Sequence, residues 1–264
     1  MLVKSKVIVL HTLKYGESRV IVDMFTREAG RLSCIVSIPK TPHGRLKKQY
    51  FQPMTLLEVE MDIRQKAQLQ KLRDARLLSP YTSIPFSPEK LALSLFVAEF
   101  LCYALRSEQQ NTILFDYICD SVQWLDMASD GFANFHLTFL MRLSRFLGFY
   151  PNLEERGKRI ATPHSQREKE EGGEVREMSE TDFFFDLRES RFCTDAPVHR
   201  DFLQPHDAEK IRLLMRMDFP TMHLFQLSRI DRNRITEVLL HYYRLHIPQF
   251  PEMKSLGVLQ ELFY

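Results

Sequence analysis

The chain has 264 residues, 44% of them hydrophobic and 27% charged, enough to bury a sizeable core as one large domain or two or three small ones. No run of 18 or more apolar residues occurs, which argues against a helical membrane span, and Met1-Leu2-Val3-Lys4-Ser5-Lys6 has no signal-peptide pattern. The formal net charge of +2 conceals an asymmetry: residues 1–80 hold 15 Lys/Arg against 7 Asp/Glu, a net of +8, while the remainder holds 21 against 27, a net of −6. A basic first segment beside an acidic remainder points to a polyanionic partner, although a solvated lysine-rich surface would give the same count.

Residues 1 to about 78 read as five short strands. The first covers roughly Val3 to Leu13, with a turn at Tyr15-Gly16-Glu17-Ser18. Arg19 to Thr26 follows, with Val20, Val22 and Met24 on one face. Gly30 can supply positive φ to the next turn, and Leu32 to Ile38 is the third strand. Met54 to Asp62 and Gln68 to Leu77 alternate with period two. Five short strands suit a small closed barrel, since closure removes exposed edges. An OB-fold is the five-stranded candidate, and an SH3-like barrel or an open sheet fits the same periodicity. The third and fourth strands are joined by Pro39-Lys40-Thr41-Pro42-His43-Gly44-Arg45-Leu46-Lys47-Lys48, longer than the usual hairpin loop.

Pro80 and Pro85 mark a boundary. Ser87 is placed to cap a helix, with Pro88 at its first position and Glu89 in its first turn. Further helices are expected over about Thr112–Met127 and Phe132–Leu147, the latter ending at Gly148 before Pro151. Residues 154–180 are poor in apolar side chains and are expected to form a mobile surface segment. Phe183-Phe184-Phe185 and Arg191-Phe192-Cys193 suggest a small hairpin, followed by helices near Asp207–Met217 and Asp231–His246 and a last short helix containing Leu256, Leu259 and Leu262. The expected class is α+β: a barrel domain over 1–80, a helical bundle over 81–153, an irregular insertion with a hairpin over 154–200, and C-terminal helices over 201–264 packing on the bundle.

No P-loop, GxGxxG, GxSxG or HExxH pattern occurs, so no enzymatic activity and no cofactor are expected. His199 and His206 lie among Asp201 and Asp207, where a surface-loop role outweighs metal chelation. Cys34, Cys102, Cys119 and Cys193 form no CxxC pair and are expected to be reduced thiols of a cytoplasmic protein. The positive signal is the basic loop. Lys40, Arg45, Lys47 and Lys48 stand in it, and Arg19, Arg27 and Arg31 lie at the ends of neighbouring strands. Such a surface would neutralise phosphates with little sequence preference and strong salt dependence. Tyr50 and Phe51 could stack on bases, but filling the barrel end is the better reading for each.

Val9-Leu10-His11-Thr12-Leu13-Lys14-Tyr15-Gly16-Glu17-Ser18, followed by Thr26-Arg27-Glu28-Ala29-Gly30-Arg31-Leu32, resembles the opening of RecO-family recombination mediators. Gln52-Pro53, Gly148-Phe149-Tyr150-Pro151-Asn152-Leu153, Phe185-Asp186-Leu187-Arg188-Glu189 and Lys254-Ser255-Leu256 are similar to later family segments, in the same order. The resemblance implies an N-terminal OB-fold, a central helical domain and binding of single- and double-stranded DNA. It also implies annealing of complementary strands and help in loading recombinase onto DNA coated by single-strand-binding protein, with RecR as a partner. Lys40 and Arg45 best match the family's basic positions after the third strand, with Lys47 and Lys48 beside them. Many members carry a four-cysteine zinc site after the central helical segment. Here no cysteine follows Leu153 until Cys193, so no zinc is expected. The alternative reading is a protein-interaction scaffold whose helical domain docks a partner tail and whose barrel is structural.

Overall fold

The computed structural model describes residues 1–39, 46–64, 67–155, 158–159 and 183–261. Strands Leu2–Tyr15 (β1), Arg19–Thr26 (β2), Gly30–Ser37 (β3), Leu56–Asp62 (β4) and Leu69–Leu77 (β5) close into a barrel in the order β1-β2-β3-β5-β4. All pairings are antiparallel except β3 with β5. This is the OB-fold strand order, so the SH3-like and open-sheet readings fall away. Val7, Val9, Val20, Val22, Met24, Cys34, Val36, Leu57, Val59 and Met61 fill the interior, as their period-two spacing requires. Phe51 is buried among them, and Leu46 and Tyr50 pack against the same cluster, so the segment after the basic loop seals the barrel.

β1 pairs with β2 on one side and β4 on the other, and its register slips between Val9 and His11. The slip is a bulge at Leu10. It adds one residue to one strand and reverses which later side chains face outward. Beyond it, Thr12 lies opposite the inward Val22, and its hydroxyl donates to the Phe51 carbonyl at 2.7 Å. His11, Leu13 and Tyr15 therefore lie on the outer face.

The helices are Pro88–Ala104 (α1), Thr112–Met127 (α2), Phe135–Phe146 (α3), Pro205–Arg216 (α4), Arg229–His246 (α5) and Leu256–Glu261 (α6). The Ser87 hydroxyl accepts from the Lys90 amide and the Asn111 side chain from the Leu114 amide, so both caps act as such residues should. Short strands Glu154–Glu155 (β6) and Lys158–Arg159 (β7) pair with each other. Phe184–Asp186 (β8), Arg191–Cys193 (β9) and Phe202–Leu203 (β10) form a three-stranded sheet. Most of the stretch expected to be mobile, residues 156–157 and 160–180, lies outside the described residues.

The described chain divides into two compact units, Met1–His136 with Phe250–Tyr264, and Leu137–Gln249. In the first, the barrel shares its unit with α1 and α2 because the β2–β3 turn docks on the α1–α2 connection. The Arg31 amide donates to the Glu108 carbonyl, and the Arg27 guanidinium makes two hydrogen bonds to the Asp116 carboxylate at 2.9 and 3.0 Å. Phe25, on the barrel exterior, packs against Phe115 of α2 with ring centroids 6.0 Å apart. After the barrel, the Thr82, Ser83 and Ile84 amides all donate to the buried Asp126 carboxylate. Beside it the buried Lys90 ammonium donates to the Ser83 hydroxyl and to the Asp126 and Ala128 carbonyls.

In the second unit, Tyr243 donates to the Leu140 carbonyl and Tyr242 to the Phe149 carbonyl. Phe185 packs on Phe192 and on Tyr242. Cys193 is this unit's single cysteine. His199 pairs with Asp186, and His241 with Asp201. These donors do not converge, and no metal-holding group of three or more His, Cys, Asp or Glu occurs among the described residues. The residues present therefore do not fit a four-cysteine zinc site; the small sheet is supported by aromatic packing instead.

Gly30 has φ +68°, and a Cβ built on it would stand 2.5 Å from the Gln109 carbonyl carbon. Gly30→Ala should cost about 2 kcal/mol or more, combining left-handed strain with displacement of backbone, read as a lowered thermal midpoint. Asp126 is a second test. Burial raises its pKa, but the Thr82, Ile84 and Ser83 amides outweigh this and hold it below the ordinary 3.8. A depressed folded pKa gives stability that is complete above the unfolded value and lost as pH falls through the folded one. Asp126→Asn should therefore lower stability at neutral pH, with the gap to the parent closing below about pH 4 in urea titrations.

Candidate nucleic-acid interface

The basic segment does not leave all of its cations unpaired. On the β1–β4–β5 side, Lys4 pairs with Glu60 at 2.8 Å, Arg73 with Asp62 at 2.7 Å, and Arg76 with Glu58. These bridges shift their members in the expected directions: the hydrogen bond and charge of Lys4 hold Glu60 below its ordinary pKa, and the Arg73 hydrogen bond does the same for Asp62. Arg27 is held by Asp116 and Arg31 by Asp23. Five cations of the segment are thus neutralised within the fold.

Lys14, Arg19, Lys47, Lys48 and Lys71 make no ion pair with a described residue and are exposed. Register places them. Tyr15 lies opposite Arg19, and Arg19 opposite Ser37 at the end of β3. The Ile38 amide donates to the Ser18 carbonyl at 2.7 Å, so the chain leaves the barrel for the basic loop beside Arg19. It returns through Lys47 and the 3-10 turn Lys48–Phe51, whose Phe51 carbonyl is held by Thr12, two residues from Lys14.

Between these cations lies an outer face built by cross-strand rows, the first mainly apolar and the second mainly polar. Leu13, Ile21, Ile35 and Lys71 form one row over β1, β2, β3 and β5, and His11, Asp23, Ser33 and Leu69 the next. Leu13 is 55% exposed and Tyr15 48%, and the Arg19 guanidinium sits 5.4 Å from the Tyr15 ring centroid. Exposed apolar and aromatic side chains bordered by unpaired cations are what a sequence-tolerant single-strand surface uses: stacking for bases and positive charge for phosphates.

The sequence-read residues separate accordingly. Arg19, Lys47 and Lys48 come to the same end of the barrel. Lys40 and Arg45 lie outside the described residues. Arg31 stands at the other end of β3. Its guanidinium donates to the Cys102 carbonyl and to Asp23, and its side chain is 17% exposed. Arg27 stands with it, so the strand-end arginines do not form one surface. Sequence reasoning missed Lys14, Lys71, Leu13 and Tyr15. Strand alternation was the available signal, but the Leu10 bulge reverses its meaning on β1.

Residues 1–81 match the family model for the N-terminal region of recombination protein O, and residues 85–256 match its C-terminal counterpart. The chain belongs to the RecO family of DNA repair proteins. It is 44% identical over 263 residues to the DNA repair protein RecO of Phocaeicola vulgatus and 43% identical over 264 residues to that of Bacteroides fragilis. It is 32% identical over 265 residues to that of Porphyromonas gingivalis, and each match covers the whole of both chains. No described helix is long and apolar enough to cross a membrane.

The two classes of arginine are separable by experiment. Arg31→Ala should leave the Cys102 carbonyl short of a donor and destabilise the fold by about 1–3 kcal/mol. Oligonucleotide affinity of the folded variant and its salt slope should stay at the parent's values, measured by anisotropy at several salt concentrations.

Proposed function

We propose that this RecO-family chain is a non-enzymatic, cytoplasmic recombination mediator that binds single- and double-stranded DNA through the loop end of its barrel. Lys40, Arg45, Lys47, Lys48 and Arg19 neutralise phosphates there, and Tyr15 and Leu13 offer bases an apolar surface. The observation that carries this reading is the partition of charge. Carboxylates pair with Lys4, Arg73 and Arg76 on the β4–β5 side and with Arg27 and Arg31 at the β2–β3 turn, while Arg19, Lys47 and Lys48 at the loop end make no ion pair with a described residue.

Such a surface suits annealing of complementary strands. It grips backbone without reading sequence, so two coated strands can exchange partners until they pair. Family membership supports the rest of the reading: help in loading recombinase onto DNA coated by single-strand-binding protein, with RecR and single-strand-binding protein as partners.

The test is a charge reversal that spares the fold. Arg19→Glu with Lys47→Glu and Lys48→Glu changes three exposed side chains that make no ion pair with a described residue. Loss of three phosphate contacts should flatten the dependence of log affinity on log salt by about two, at about 0.7 per contact on single strands. Strand annealing should slow in parallel, while the thermal midpoint moves little. An unchanged slope would remove this end of the barrel from DNA binding.

A further inference from the structure

The first unit holds a cleft of about 610 Å³ beside the barrel face, within the size range of small-ligand sites. Its apolar surface comes from Leu10, Leu95, Ala98 and Tyr103. Two carboxylates reach it, and both are engaged. Asp23 accepts from the Ser33 hydroxyl at 2.5 Å and pairs with Arg31. Glu99 accepts from the Lys254 and Ser255 amides at 2.9 and 2.8 Å and from the Ser255 hydroxyl at 2.5 Å. Asp23 is thus neutralised by Arg31, while Glu99, held by neutral donors, keeps its charge against the two cations Arg106 and Lys254. Arg106 and Lys254 are exposed and make no ion pair with a described residue, and Arg106 sits 5.8 Å from the Tyr103 ring centroid. His11 also lines the cleft. An apolar surface beside two cations and one carboxylate has a net positive charge and favours a ligand with a flat apolar body and an anionic group.

Continuity decides which ligand. His11 lies on β1 on the same outer face as Leu13 and Tyr15, and four residues of strand span about 13 Å. The proposed DNA surface and the cleft are therefore two ends of one strip, running from Arg19 and Tyr15 over Leu13 to His11, Arg106 and Lys254. We propose that the cleft is a second subsite for the same single strand. A base lies against Tyr103 and Leu95 while Arg106 and Lys254 hold the adjoining phosphates. A peptide with acidic and apolar side chains would suit the cleft as well; continuity with the barrel face is what favours the strand. The inference rests on the barrel face being the nucleic-acid surface, and it adds a helical-side anchor to which the basic loop does not contribute.

The experiment uses the full chain and fluorescent oligothymidylate. Arg106→Glu with Lys254→Glu alters two exposed side chains and leaves the Lys254 amide, which holds Glu99, in place. The double variant should bind long oligothymidylate about tenfold or more weakly, with the salt slope reduced by about 1.4 for two lost contacts. Tyr103→Leu keeps an apolar side chain and removes the ring; affinity should fall about fivefold or more at an unchanged slope, the low end for loss of one stacked base. Ultraviolet crosslinking of the parent should place oligothymidylate on the peptide containing Tyr103. Parent-like affinity and slope in the charge-reversed double variant would overturn the inference. If the Arg19, Lys47 and Lys48 variant loses affinity in the same assay, the barrel reading survives that failure; if neither variant does, both fall. A double variant that loses binding of an acidic peptide yet keeps that of oligothymidylate would reassign the cleft to a protein partner and overturn the inference equally.

Discussion

One irregularity in one strand sets what this barrel can present. β1 must pair along both edges, with β2 and with β4, or the sheet cannot close. The bulge at Leu10 lets it do so while changing the parity of its second half. Without that extra residue, His11, Leu13 and Tyr15 would point into a filled interior, and Thr12 and Lys14 would cover the exterior. With it, Leu10 is buried on the exterior, Thr12 turns inward to hold the Phe51 carbonyl, and an apolar stripe faces solvent beside Arg19.

The same barrel uses its charges in two ways. On the β4–β5 side, whose own register shifts once between Glu60 and Met61, acidic and basic residues meet as Lys4–Glu60, Arg73–Asp62 and Arg76–Glu58. Exposed pairs of this kind add little stability. Their larger effect is to make that side close to neutral. At the loop end no carboxylate is paired with Arg19, Lys47 or Lys48 among the described residues, so these three leave unpaired positive charge there. Local excess charge of this kind steers polyanions.

The rest of the first unit keeps this surface in place. The Gly30 turn, the Arg27–Asp116 bridge and the Arg31 hydrogen bond to Cys102 dock the far end of the barrel on α1 and α2. The Asp126 and Lys90 cluster ties the connection after β5 to the end of α2. In the second unit, aromatic packing around Phe185, Phe192 and Tyr242 supports the small sheet.

Much was determined by the sequence alone. Short apolar or alternating runs bounded by turn residues identified all five barrel strands, with β2 placed to the residue, because alternate burial is imposed by strand geometry itself. Ser87 and Pro88 marked the start of α1, and the order of family-like segments pointed to the RecO family, because cap chemistry and chain order are local or linear properties. Only the tertiary structure decided which cations keep their charge. Arg31 and Arg19 look alike in sequence, yet one is bound to Asp23 and the Cys102 carbonyl and the other stands over Tyr15 at the loop end. That difference arises from partners far away in the chain and from a one-residue bulge, neither of which leaves a periodic trace in the sequence.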